Sequence, residues 1–348
     1  MFSNRYKDNG KETLVLNDLQ KRLRNQINLK VRDGFYKFET VKCGCCRNSN
    51  SKPLAWKDRY GLKCPIVICT ECGLIFTSPR MTLQSYMKFY DCEYRSLYHG
   101  LDMPLEDLYR RQLYRGNEIA RFFLDNGYEI HDKKILEVGC GSGGTLSHFR
   151  DTYNCQVFGC DYGSEGIKYG SKYYNLEIFH GDLSLVKLPW EPDIIIYSHV
   201  FEHILDIKAE CRIISNVLPQ HGVLYVEVPS VKNIHNQYDL DLMKYFQNAH
   251  VYHFSLRSLI NVMKVNGFEL QIGNEFVKSI FVKSENNKSI KLENDYKEVL
   301  DYLKRTERSR ILIKFKNFIS NFRSLSINSV KKLKLINIFR KFRYEFFD

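Results

Sequence analysis

The chain has 348 residues, a formal net charge of +12 and 44% hydrophobic residues, room for one full domain with appendages or two small domains. No run approaches the roughly 18 apolar residues of a membrane-spanning helix, and residues 1–10 lack the apolar stretch of a secretion signal. A cytoplasmic, reducing location is therefore expected, in which the eleven cysteines, where clustered, mean metal more often than disulfides.

Residues 1–40 are polar and mixed in charge, and Leu16, Leu19, Leu23 and Ile27 predict one apolar helix face near Asn17–Leu29. Next come two C-x-x-C pairs, Cys43/Cys46 and Cys69/Cys72, separated by 22 residues. Two such turns can close a tetrahedral four-thiolate zinc site around a ribbon hairpin. A closed site keeps no open position, so this zinc is expected to be structural. The competing reading is a set of unrelated buried thiols. Cys45 lies between the first two ligands and could replace one of them.

Leu105–Leu124 has helical periodicity and leads into the most informative run, Leu136-Glu137-Val138-Gly139-Cys140-Gly141-Ser142-Gly143-Gly144. A short apolar strand enters a glycine turn, and Thr145–Arg150 starts a helix whose free N–H groups face that turn. Gly139, Gly141 and Gly144 also fit the dinucleotide pattern G-x-G-x-x-G. Glu137, two residues before the first glycine, separates the readings: a carboxylate at an apolar strand end is costly unless a cation awaits it. Further strands are expected at Gln156–Asp161, Leu176–His180, Pro192–Ser198 and Val223–Pro229. After a connection over 230–249, a helix over Leu256–Val265 and strands at Gly267–Leu270 and Ser279–Val282 close the pattern.

The run E-x-G-x-G-x-G resembles motif I of the class I S-adenosylmethionine (SAM) methyltransferases, and the later strands extend the resemblance over about residues 105–285. It implies an α/β, Rossmann-like seven-stranded sheet and SAM as cofactor. By that resemblance Glu137 meets the methionyl ammonium, and Gly139, Gly141 and Gly143 line the turn. Asp161 would hold the ribose hydroxyls, Asp182 the adenine amino group, and Leu183 would pack on the ring. Ser198 and His199 open a stretch, through Ile204, that resembles the S-x-V-L-E-H-I of methyltransferases acting on small molecules, and are assigned to the cofactor.

The segment from Cys72 through Arg80, then Phe89-Tyr90 and Glu93-Tyr94-Arg95, resembles the zinc-ribbon leader of sugar methyltransferases, including deoxysugar C-methyltransferases. Tyr90 or Tyr94 then faces substrate or simply packs. In those enzymes a late segment reads close to D-E-H-x-x-Y-F-S, and its histidine is the base. Here His250 is kept, but Ala249 replaces the acid and His253 the tyrosine, which favours a hydroxyl over a carbon acceptor. His250 leads as base, with His253 and His203 as rivals.

Four segments are expected: an extension (1–40), a zinc ribbon (41–100), the methyltransferase domain (101–285) and a basic helical tail (286–348). Residues 301–348 hold thirteen Lys or Arg against four acids, 13 − 4 = +9 of the total +12. Ile311, Leu312, Phe315, Phe318, Ile319 and Phe322 share a helical face, which suits an anionic membrane at its cytoplasmic side or a docked helix.

The function expected is O-methylation of a sugar hydroxyl on a nucleotide- or lipid-linked intermediate of surface polysaccharide or glycan synthesis. The alternative class is a nucleic-acid methyltransferase using the ribbon and basic tail. The base-clamping D/N-P-P-Y/F motif is absent after the fourth strand, where Ser198-His199-Val200-Phe201 stands.

Overall fold

The structure, a computed structural model, describes residues 4–100, 104–284 and 290–324. It divides into two compact units, one drawn from 101–230 and 254–293, the other from 1–100, 231–253 and 294–348.

The first unit is a seven-stranded sheet. Its strands are β1 (Lys134–Val138), β2 (Gln156–Asp161), β3 (Ile178–His180), β4 (Ile194–Ser198), β5 (Val223–Glu227), β6 (Phe268–Gly273) and β7 (Lys278–Lys283). Their order is β6-β7-β5-β4-β1-β2-β3. β1 to β5 run parallel, and β7 pairs antiparallel with β5 and β6. Ile194, Ile195 and Ile196 are buried without alternation, as parallel strands covered on both faces must be. Helix α1 (Leu105–Asp125) packs Ile119, Ala120 and Phe123 into a core with Ile135, Phe149, Ile194, Ile196, Tyr225 and Ile280. Helix α2 (Gly144–Tyr153) follows the glycine turn, and a Cβ on Gly116 of α1 would lie 2.8 Å from the His148 Cβ. The strand order reverses between β1 and β4, and open α/β sheets bind ligands outside the carboxyl ends at such a point. The expected α/β, Rossmann-like sheet is therefore present.

The second unit contains the cysteine pairs. The expected hairpin forms from Ser51–Lys57 and Lys63–Cys69, which pair antiparallel. Ile75–Thr77 adds to it, and Tyr252–His253 adds to Ile75–Thr77, giving four strands. A helix over Asp18–Arg32 starts with a capping box between Asn17 and Gln20, close to the span expected.

This division differs from four consecutive segments. Ile234, Leu242, Met243 and Phe246 share a core with Leu54, Ile66 and Ile68, so 231–253 goes with the cysteine pairs. The tail differs as well. Its helix begins at Tyr296, and Val299 and Leu303 are fully buried in that same core. Beyond them Leu312, Ile313 and Phe315 are exposed. The side chains of Phe318, Ile319 and Phe322, and all of 325–348, lie outside the described residues. Among the described residues, no helix is long and apolar enough to cross a membrane.

Candidate active site at the strand ends

The glycine turn after β1 is built on conformation. Gly139, Gly141 and Gly143 have φ of +73°, +58° and +78°, values that an L side chain rarely adopts. At Gly139 a Cβ would also lie 2.4 Å from Val200 Cγ2, so the turn closes against the loop after β4.

Two side chains pin this turn. Asp161, at the end of β2, accepts from the Gly141 N–H at 2.8 Å and the Gly163 N–H at 2.6 Å. Gln112 of α1 donates to the Cys140 carbonyl at 2.9 Å, and its oxygen accepts from the Ser142 N–H and hydroxyl at 3.1 and 2.7 Å. Gln112 was not legible in the sequence, where it is one polar position on a helix.

Glu137 lies beneath the turn, 4% exposed, and its Oε2 has no hydrogen-bond partner among the described residues. Burial pushes its carboxyl up to about 8, against the opposing pull of Thr145 and Arg115. A buried acceptor without a donor costs about 1–3 kcal/mol, so this one marks a place for a donor or cation.

Asp182 caps the short turn Leu183–Leu185. It accepts from the Ser184 N–H at 2.9 Å and the Tyr162 hydroxyl at 2.7 Å. Burial opposes its ionisation, but these hydrogen bonds hold it below the usual carboxylate value. Leu183 is buried beside it in sequence.

β4 ends at Ser198, whose hydroxyl lies 3.2 Å from Glu227 Oε2 and accepts from Arg115 at 3.4 Å. His199 adopts φ +57° and donates its N–H to the Glu227 carbonyl at 2.8 Å. Its ring Nδ1 lies 3.6 Å from Glu202 Oε1, and His203 Nε2 lies 3.7 Å from the same oxygen. Glu202 is buried. The nearby charges of His203 and His199 offset that burial and hold its carboxyl below the usual value. The strand ends thus gather Glu137, Asp161, Ser198, His199 and His203, together with Glu227 and Arg115, which the sequence showed only as a strand residue and a helix residue.

The remaining candidates belong to the cysteine-bearing unit. The Sγ atoms of Cys43, Cys46, Cys69 and Cys72 all lie within 4.8 Å of one another. Cys43–Cys72 is 3.5 Å and Cys46–Cys69 3.4 Å, near the ~3.8 Å edge of a tetrahedron with ~2.3 Å zinc–sulfur bonds. The two turns match: Arg47 and Gly73, each directly after a pair, have φ of +61° and +77° and donate to the carbonyls of Cys43 and Cys69 at 3.0 Å. Cys45 is buried but outside this converging set among the described residues.

His250 is buried and hydrogen-bonded to Gln247, and its carbonyl accepts from the Thr77 hydroxyl at 3.3 Å. His253 packs against Tyr245, Phe246 and His250, with no partner for either ring nitrogen among the described residues. Burial drives its pKa down to about 3. Tyr90 stacks on Tyr94 at 4.3 Å and lies 4.8 Å from the Tyr86 ring, contacts that suit a packing role.

Residues 108–271 match the protein family described as a methyltransferase domain. That stretch carries a methyltransferase domain. No curated protein matches its sequence. Among solved structures it is similar to a chain of the complex between the Haloferax volcanii Trm112 methyltransferase activator and a putative methyltransferase. That match has 16% identity, covers 51% of this chain and 95% of that one, and has a TM-score of 0.42. A putative SAM-dependent methyltransferase from Methanococcus maripaludis is 16% identical over 53% of this chain and 94% of its own, with a TM-score of 0.39. A SAM-dependent methyltransferase from Bacteroides fragilis, solved with S-adenosyl-L-homocysteine, is 14% identical over 52% and 82%, also with a TM-score of 0.39.

Proposed function

We propose that this methyltransferase O-methylates a hydroxyl of a sugar carried on a nucleotide or lipid intermediate of glycan synthesis. The observation that carries the cofactor half is Glu137, a buried carboxylate with an unpartnered oxygen under a glycine turn. It fits the methionyl ammonium. Asp161 then exchanges its backbone donors for ribose hydroxyls, while Asp182 and Leu183 flank the adenine and Ser198 and His199 close the pocket. When bound, SAM supplies an electrophilic methyl group on a sulfonium; the chain aligns the acceptor with it and excludes water.

A hydroxyl acceptor must also lose its proton, which a positioned base speeds by roughly 10²–10⁴. His250 is the positional choice by resemblance. His203 has the buried Glu202 carboxylate at 3.7 Å to orient its ring, the arrangement general bases use. A ring held near pKa 3 makes His253 the poorest base of the three. The sugar half rests on the resemblance of the cysteine leader and of the segment around His250.

The four convergent thiols support one structural zinc per chain, bound by Cys43, Cys46, Cys69 and Cys72. Exposed Leu312, Ile313 and Phe315 beside Lys314 support peripheral contact of the basic helix with an anionic membrane.

Labelled SAM offered with nucleotide sugars, lipid-linked glycans and RNA tests the substrate. Transfer to a sugar hydroxyl is expected; transfer to RNA alone would replace this reading. In the active pair, His250→Ala should lower turnover by roughly 10²–10⁴ with SAM affinity unchanged. A large loss in His203→Ala with His250→Ala near parent activity would move the role.

A further inference from the structure

The register of the sheet sets three polar residues in one row at the strand ends. Ser198 of β4 lies beside Glu227 of β5, which faces Lys278 of β7. Across from this row, α1 presents Arg110, Arg111, Tyr114, Arg115 and Glu118, and together Glu227, Lys278 and these five line a cavity of about 480 Å³. That lies within the usual size of a small-molecule site, about 300–1,000 Å³.

Its charges are unevenly matched. Arg110 is paired with Glu106 at 2.8 Å. Lys278 stands between Glu118 at 3.5 Å and Glu227 at 4.0 Å. Arg111 and Arg115 have no carboxylate within 4.0 Å among the described residues, and Arg115 reaches only the Ser198 hydroxyl. Four residues apart on one helix, they share a face, and like charges at that spacing repel. An anion between them removes that cost.

We propose that this cavity holds the phosphoryl or diphosphate group of the acceptor, with Arg111 and Arg115 as its clamp. A carboxylate is matched by one guanidinium; a diphosphate carries at least two negative charges over several oxygens, each able to take a bidentate guanidinium. Tyr114, 66% exposed between the two arginines in sequence, offers a ring face to the group attached to that phosphate. The inference rests on the reading of the acceptor as a sugar on a phosphorylated carrier, and it assigns the end of the site that grips the carrier.

The test is calorimetric titration of the full chain with inorganic pyrophosphate, uridine diphosphate and farnesyl diphosphate, with and without saturating SAM. Pyrophosphate should bind in both conditions. Arg111→Gln and Arg115→Gln should each weaken it about 10–100-fold, whereas Arg121→Gln, an exposed change on the same helix outside the cavity, should leave it unchanged. Tighter binding of uridine diphosphate than of farnesyl diphosphate assigns a nucleotide carrier, and the reverse a lipid carrier. Absence of pyrophosphate binding, equal losses in all three variants, or an Arg115→Gln defect confined to SAM would overturn the assignment. The two readings fail separately. Pyrophosphate bound through Arg111 with no methyl transfer to any sugar removes the proposed reaction and keeps the cavity. Transfer to a sugar diphosphate with the same KM in Arg111→Gln does the opposite.

Discussion

Each unit buries glutamates, and two of them, Glu307 and Glu137, are treated in opposite ways. Glu307, on the helix over Tyr296–Ser324, accepts from Nε and Nη2 of Arg310 at 2.8 and 2.5 Å, with Arg5 at 3.5 Å. Burial would raise its pKa, yet these partners hold the carboxyl below its ordinary value. Glu137 keeps one oxygen unpartnered among the described residues, and burial raises it to about 8. A buried charge with partners holds a fold together. A buried carboxyl without them waits for something that is not the protein.

The comparison breaks most visibly at Glu307. Removing one partner of a buried pair leaves an uncompensated charge, so Arg310→Ala should cost about 3–5 kcal/mol in denaturant unfolding. A loss under about 1 kcal/mol would make that pair no different from a surface contact. In the same unit, Cys69→Ser should reduce bound zinc from about one equivalent to none in metal analysis of the purified protein.

Glu137 makes a prediction of opposite sign. Its folded pKa of about 8 exceeds the ordinary 4.5, so the folded state keeps a proton that the unfolded chain has released between those values. Stability without SAM should therefore fall as pH rises from about 4.5 to 8, by on the order of a few kcal/mol. Glu137→Gln should flatten that slope and weaken SAM binding about 10–100-fold. Near pH 7, SAM binding should release a proton from the parent protein and none from Glu137→Gln, which calorimetry in two buffers of different ionisation enthalpy would detect.

The smallest effect concerns the brace. Gln112→Ala removes the contacts to Cys140, Ser142 and the Gly144 N–H, and each neutral hydrogen bond is worth about 0.5–1.5 kcal/mol. SAM affinity should drop several-fold with little change in unfolding. An unchanged affinity would mean that the glycines hold their positive φ values without help.

Local chemistry made the cofactor turn and the cysteine pairs readable. Both sites are short runs in which spacing dictates geometry: glycines where φ must be positive, thiols at the two ends of one turn. The strands were readable for the same reason, since Ile194–Ile196 and Val223–Val226 are continuous apolar runs that only a two-faced parallel sheet buries. Gln112, Arg115 and Glu227 carried no such mark. A polar residue on a helix or at a strand end looks alike whether it faces solvent or a site, and only the packing of α1 against the glycine turn and the strand ends gives these three their partners.

By itself, then, the sequence determined the seven-stranded methyltransferase sheet, the glycine turn with Glu137 before it, and the four thiols, because each depends on neighbours a few residues apart. Tertiary structure decided the rest. Hydrogen bonding of Tyr252–His253 to Ile75–Thr77, and burial of Val299 and Leu303 with Ile66 and Ile68, assign 231–253 and the helix from Tyr296 to the cysteine-bearing unit. Those pairings join residues more than 170 positions apart, and a local hydrophobic pattern records that a face will be buried without recording against what.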